Sequence, residues 1–221
     1  MDRIVNYFKN IGLRRFIFMI IGNIVLGFGI SIFKFAGMGN DPYTAMIFGV
    51  SDFFKFYFPV FQICFNVGVF LLFECTLGRR YIGFGTIVNM FFLGYIVSFF
   101  VDLFYGLFDA PDKFITQFPV MILGVLFTSL GVALYQTSDC GVSPYDSVSI
   151  IMSDRIKKLP YFWARISNDA LCTLVCYLTG GLLGLGTLVC AFGLGPIVSF
   201  FTEKVAKPLI FGKSASEPKA S

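Results

Sequence analysis

Arg165 and Asp169 stand four residues apart in an otherwise apolar stretch. On a helix that spacing puts a guanidinium and a carboxylate on one face, where they can pair. Asn168 precedes Asp169, and Asn66 occupies a second apolar stretch. Polar groups inside such segments are costly and mark sites for solute, ion or proton, unless they act as interhelical hydrogen-bonding glue. Gln62, Asn89 and Glu74 are further members of this class, with Glu74 expected to meet Arg79 or Arg80. Two short clusters offer different chemistry: Gly39-x-Asp41-Pro42-Tyr43 and Gly141-x-Ser143-Pro144-Tyr145-Asp146. Asp and Ser are good N-caps, and Pro fits the first helical position, where no N–H is wasted. The preceding glycine permits a tight entry. A helix starting there offers unpaired N–H groups and a partial positive charge, which attract anions. Asp41, Asp146 and Asp169 attract cations instead, and a zwitterion coupled to H⁺ satisfies both. The candidate solute-binding set is Asp41, Pro42, Tyr43, Asn66, Ser143, Pro144, Tyr145, Asp146, Asn168 and Asp169.

Other chemistries are disfavoured. Histidine, the commonest general base and metal ligand, is absent. The six cysteines form no CxxC pair and read as small residues within apolar segments. No Ser or Cys sits beside an evident base, and no phosphate-binding loop occurs. Gly83-x-Gly85 and Gly184-x-Gly186 lack the βαβ context of a dinucleotide site. The chain is not expected to be an enzyme, and no metal or cofactor is expected.

The elements that position these residues follow from composition. Of 221 residues, 57% are hydrophobic and 14% charged, against roughly 25% charged in soluble domains. Runs of about 20 apolar residues cross a bilayer, and six are expected: Phe16–Phe35, Val60–Leu77, Ile82–Leu103, Phe118–Gln136, Tyr161–Leu178 and Leu182–Phe201. The first run reads as its own insertion signal rather than a cleaved leader. Pro42–Phe53 and Pro144–Met152 are too short to cross and read as half-helices. The alternative is a helix corner at the membrane surface, with Tyr43 and Tyr145 as interfacial anchors. Basic residues cluster at Arg3, Lys9, Arg14 and Arg15, at Arg79 and Arg80, at Arg155, Lys157 and Lys158, and at Lys204, Lys207, Lys213 and Lys219. Six spans with both ends inside put all four clusters in the cytoplasm, as positive charge prefers. The acidic Asp102, Asp109 and Asp112 then face outside.

A tandem repeat organises the chain. A shift of 102 superimposes Gly22, Gly29, Gly39, Pro42, Tyr43 and Asn66 on Gly124, Gly131, Gly141, Pro144, Tyr145 and Asn168. A shift of 101 then superimposes Gly83-x-Gly85-Thr86 on Gly184-x-Gly186-Thr187, and Ile96–Phe100 on Ile197–Phe201. Three spans per copy force opposite orientations. The expected fold class is an all-α integral membrane protein of about six transmembrane helices plus two half-helices, in two inverted-topology three-helix repeats. The divisions are 1–110 (half-helix 42–53), 111–207 (half-helix 144–154) and a polar cytoplasmic tail over 208–221. Gly22, Gly27, Gly29, Gly124, Gly131, Gly193 and Gly195 are expected to let helices approach closely.

The two Gly-x-x-Pro-Tyr segments, the three-plus-three layout and the length resemble the YczE/YyaS/YitT family of bacterial inner-membrane proteins, in its YczE-like branch, over residues 11–207. The resemblance implies a multi-pass protein of the bacterial cytoplasmic membrane involved in transport, and carries over no catalytic residues. Inverted repeats and paired half-helices point to a secondary transporter for a small solute. The alternatives are a subunit of a larger complex of the energy-coupling-factor type, and a channel. Expected partners are the lipid bilayer and a small solute with H⁺ or Na⁺ as coupling ion, with a homo-oligomer left open and no nucleic acid.

Overall fold

The computed structural model describes residues 12–74, 83–156 and 161–212. Helix α1 runs over Leu13–Ala36, α2 over Pro42–Phe54 and α3 over Phe58–Val69, extended by a π-helical turn Phe70–Glu74. Helix α4 spans Phe84–Leu107, α5 Phe114–Thr137, α6 Pro144–Arg155, α7 Tyr161–Leu178 and α8 Leu185–Phe201. A second π-helical turn, Thr202–Ala206, carries α8 into α9, Lys207–Phe211. Among the described residues there is no strand. Four helices are long and apolar enough to cross a membrane: α1, α4, α5 and the continuous run Leu185–Phe211. Helices α2 and α3 bend by 118° at their junction and make a fifth crossing if counted as one span. Helix α7 has the expected bounds, but Arg165 and Asp169 make it less apolar than the other four.

Several boundaries differ from the sequence reading. Helix α5 begins more than a turn earlier, with Pro119 inside it. Helix α8 begins at Leu185 rather than Leu182 and continues to Phe211. The stretch read as a polar tail from 208 therefore begins with a helical turn whose Ile210 packs with Ala133, Leu134 and Ala206. Arg3, Lys9, Cys75, Leu77, Arg79, Arg80, Ile82, Lys157, Lys158, Lys213 and Lys219 lie outside the described residues. The predicted contact of Glu74 with Arg79 or Arg80 falls there too.

Helices α1 and α5 form the centre. Gly22 faces Tyr135, Leu26 faces Gly131, Gly29 faces Thr128 and Phe33 faces Gly124. One number falls as the other rises, so the two helices are antiparallel. A Cβ added at any of these four glycines would come within 2.3 to 2.8 Å of the opposite helix. Small residues allow that approach, and close backbone packing is what holds helices together where lipid offers no hydrophobic drive. Helix α4 lies parallel to α1: Phe16 meets Phe84, Asn89 bonds Asn23 at 3.1 Å, and Ser31 Oγ donates to the Val97 carbonyl at 3.0 Å. Gly27 packs on Ile96 within this pair. Gly193 and Gly195 do not join the close packing: a Cβ on Gly193 would meet only Val189 at 3.9 Å and one on Gly195 would meet nothing.

Several contacts are reciprocal under the sequence shift. A shift of 102 turns the Gly22–Tyr135 contact into Gly124–Phe33, and Gly29–Thr128 into Gly131–Leu26. At the start of α4 the Gly85 amide donates to the Cys140 carbonyl at 2.7 Å, and at the start of α8 the Gly186 amide donates to the Met38 carbonyl at 2.9 Å. Each copy thus closes the entry to the other copy's short helix. Helix α2 packs on α7, and α6 on α3 and its π-helical turn.

Candidate functional site

The short helices begin as their residues dictate. Gly39 and Gly141 take φ of +107° and +115°, backbone open to glycine at little cost. Asp41 Oδ2 accepts from the Thr44 amide at 3.0 Å, and Ser143 Oγ accepts from the Asp146 amide at 3.2 Å. Pro42 and Pro144 fill the first helical position and are buried there.

The first turns of α2 and α6 meet. The rings of Tyr43 and Tyr145 stack with centroids 4.4 Å apart and planes inclined by 25°. Both are buried, so they are not interfacial anchors. Tyr43 donates to Asn66 Oδ1 on α3 at 2.8 Å, and Tyr145 donates to Asp169 Oδ1 on α7. Tyr43→Phe removes this bond and leaves the buried Asn66 carboxamide without its hydroxyl partner. The expected cost is about 1–2 kcal/mol, read as a fall in melting temperature, whereas Asn168→Ala should stay within roughly 0.5 kcal/mol.

Asp146 is saturated with donors. Tyr135 and Ser143 give it hydroxyl bonds, the latter at 2.8 Å, Gln136 gives an amide bond at 3.2 Å, and Arg165 pairs with its other oxygen. Arg165 Nε also lies 3.4 Å from Asp169, and the guanidinium sits 5.0 Å above the Tyr145 ring. One arginine therefore ties α6 to α7 through two carboxylates.

A cavity of about 60 Å³ opens between the two short helices, room for about four waters. Most of its wall comes in repeat-related pairs: Leu26 with Thr128, Ile30 with Val132, Asp41 with Ser143, Tyr43 with Tyr145, Thr44 with Asp146, and Leu93 with Leu194. The cavity lies level with the middle turns of α1 and α5. The lining residues without a lining counterpart are Asn66, Asn89, Tyr135 and Arg165. These four supply much of the cavity's polarity.

Of the residues predicted from sequence, Asp41, Tyr43, Asn66, Ser143, Tyr145 and Asp146 line the cavity. Asp169 stands behind it, joined through Tyr145 and Arg165. Pro42 and Pro144 shape the helix starts. Asn168 is not brought in: its carboxamide only reaches Ser149 Oγ, at 3.5 Å. Tyr135, Gln136 and Thr128 were not predicted, and nothing in their spacing marks them. Asn23, which receives the Asn89 bond, was legible by the rule that picks out Asn66.

The chain is 25% identical over 183 residues to an uncharacterized protein of Haemophilus influenzae, covering 83% of this chain and 81% of that one. It is 27% identical over 188 residues to the uncharacterized membrane protein YczE of Bacillus subtilis, covering 84% of each. The uncharacterized protein YyaS of the same organism is 24% identical over 183 residues, with 79% and 86% covered. No solved structure matches. The apolar helices and the likeness to YczE make this a multi-pass, all-helical membrane protein. Its residues 13–203 match the profile of DUF6198, a family of unknown function, and to that family the chain belongs.

Proposed function

We propose that the protein is a secondary transporter for a small solute in the bacterial cytoplasmic membrane, with its site in the cavity between the two half-helix starts. The observation that carries this reading is the cavity's place between reciprocal halves whose lead helices, α1 and α5, run antiparallel. Alternating access in inverted-repeat transporters works by exchanging the two halves around a fixed midplane site. Six spans follow if α2–α3 is one bent crossing and α7 another. Eighteen residues of α7 reach about 27 Å, close to the hydrocarbon thickness, and its charges turn inward. Both termini then lie in the cytoplasm, with Arg14 and Arg15 at the inner start of α1 and Asp109 and Asp112 in the outer α4–α5 turn. Arg15 pairs with Asp139 at 3.0 Å, which suits an inner position for the end of α5. A second cavity of about 250 Å³ is lined by Lys34, Asn40 and Asp52 among others, Asn40 being the chain neighbour of Asp41 in the first. It supplies an antechamber on the outer side.

The test uses Ile30→Cys in a cysteine-free protein, since Ile30 lines the cavity and is buried. A membrane-impermeant thiol reagent should modify it in right-side-out and in inside-out vesicles. Modification from neither side would sink the reading, and steady conductance in planar bilayers would replace the transporter with a channel.

A further inference from the structure

Each short helix carries a carboxylate at its start, and the two are treated differently. In the second copy Asp146 reaches back to the N-cap Ser143 and receives Tyr135, Gln136 and the guanidinium of Arg165. In the first copy Asp41 is itself the N-cap. Its Oδ2 accepts from the Thr44 amide, while Oδ1 is inaccessible to solvent and has no partner. The position equivalent to Arg165, 102 residues earlier, is Ile63. Among the described residues no cation forms an ion pair with Asp41, and Arg165, which lines the same cavity, is engaged by Asp146 and Asp169. Two neutral groups on the same cavity are also unsatisfied: Asn66 Nδ2 and Thr128 Oγ1, on residues 1% and 2% exposed. Buried polar groups are nearly always partnered, so three orphans around one cavity call for a bound guest.

We propose that the cavity binds a single monovalent cation, either a small inorganic ion or the ammonium head of an amine, on the Asp41 carboxylate. This rests on the transporter reading above only for its transport consequence. The guest takes in the first copy the electrostatic place that Arg165 takes in the second. Thr128 Oγ1 supplies a further oxygen, and Asn66 Nδ2 donates to any acceptor atom the guest or its water carries. One free carboxylate oxygen suits one positive charge. In the antechamber Lys34 Nζ is held 3.3 Å above the Phe48 ring, and Asp52 lines the same wall.

The test measures thermal unfolding of the full chain in lipid nanodiscs at constant ionic strength, exchanging choline chloride for sodium, potassium or methylammonium chloride. At least one of the three should raise the melting temperature saturably, as binding to the folded state alone requires. Asp41→Asn keeps a good N-cap and should still fold, but with affinity about tenfold to a hundredfold weaker. Asp52→Asn should leave the shift intact. A response to sodium or potassium identifies an inorganic ion, and one to methylammonium an amine. No saturable shift with any of them, or an equal shift in Asp41→Asn, overturns the proposal. Flux of the responding cation into proteoliposomes separates the two readings: binding without flux retains the site and removes the transporter, and flux indifferent to Asp41→Asn does the reverse.

Discussion

Arg165→Ala should destabilise the protein by about 3 kcal/mol. Removing one partner from a buried ion pair costs roughly 3–5 kcal/mol, because the other charge is left uncompensated. The lower end applies because the Arg165 side chain keeps 28% of its exposure, while that of Asp146 keeps only 11%. Two carboxylates lose their cation together, and Tyr145 loses the guanidinium above its ring. The loss should therefore exceed that of any single neutral change at the cavity. Arg165→Lys keeps the charge but cannot bridge two carboxylates with a planar fork, so its cost should be intermediate. Combining Arg165→Ala with Asp146→Asn should recover part of the stability, since the most heavily buried charge is then neutral. The check is a double-mutant cycle on chemical or thermal unfolding in lipid nanodiscs. Equal stability of Arg165→Ala and the parent would mean the pair is not formed.

Gly29→Ala and Gly131→Ala are the second pair of large effects. Their added methyl groups would meet the Thr128 amide nitrogen at 2.3 Å and the Leu26 amide nitrogen at 2.4 Å. Both obstacles are backbone, which cannot rotate away as a side chain can. Overpacking typically costs about 1–3 kcal/mol, and the upper end is expected because relief requires α1 and α5 to separate. Because the contacts are reciprocal, the two variants should lose similar stability. Gly68→Ala and Gly195→Ala are the controls, with open space beside each. Alanine is the better helix former by roughly 1 kcal/mol, so these controls should be neutral or slightly stabilising. If Gly29→Ala behaves like Gly195→Ala, the close α1–α5 seam is absent.

The sequence alone determined the features that depend on neighbouring residues or on counting. Bilayer-length apolar runs are visible because lipid demands them. The helix starts at Pro42 and Pro144 are visible because capping is a local bargain among three or four residues. The repeat is visible because Gly, Pro and Asn recur at a fixed shift, and the shift pairs Gly22, Gly29, Gly124 and Gly131 as close-packing positions. The Arg165–Asp169 pair is legible because both lie on one helix at a spacing of four.

What only the tertiary structure decided lies between helices. Helical phase separates consecutive residues by about 100°, so Asp169 reaches Tyr145 while Asn168, the repeat partner of Asn66, turns away to Ser149. No spacing rule links Tyr135 or Arg165 to Asp146, since their meeting depends on how α5 and α7 cross α6. The stacking of Tyr43 on Tyr145 needs the two copies to face each other, which neither copy encodes by itself. Sequence thus lists the polar groups that must find partners. Only the packing of the helices shows that Asp146 has found its cation and that Asp41 Oδ1 has not.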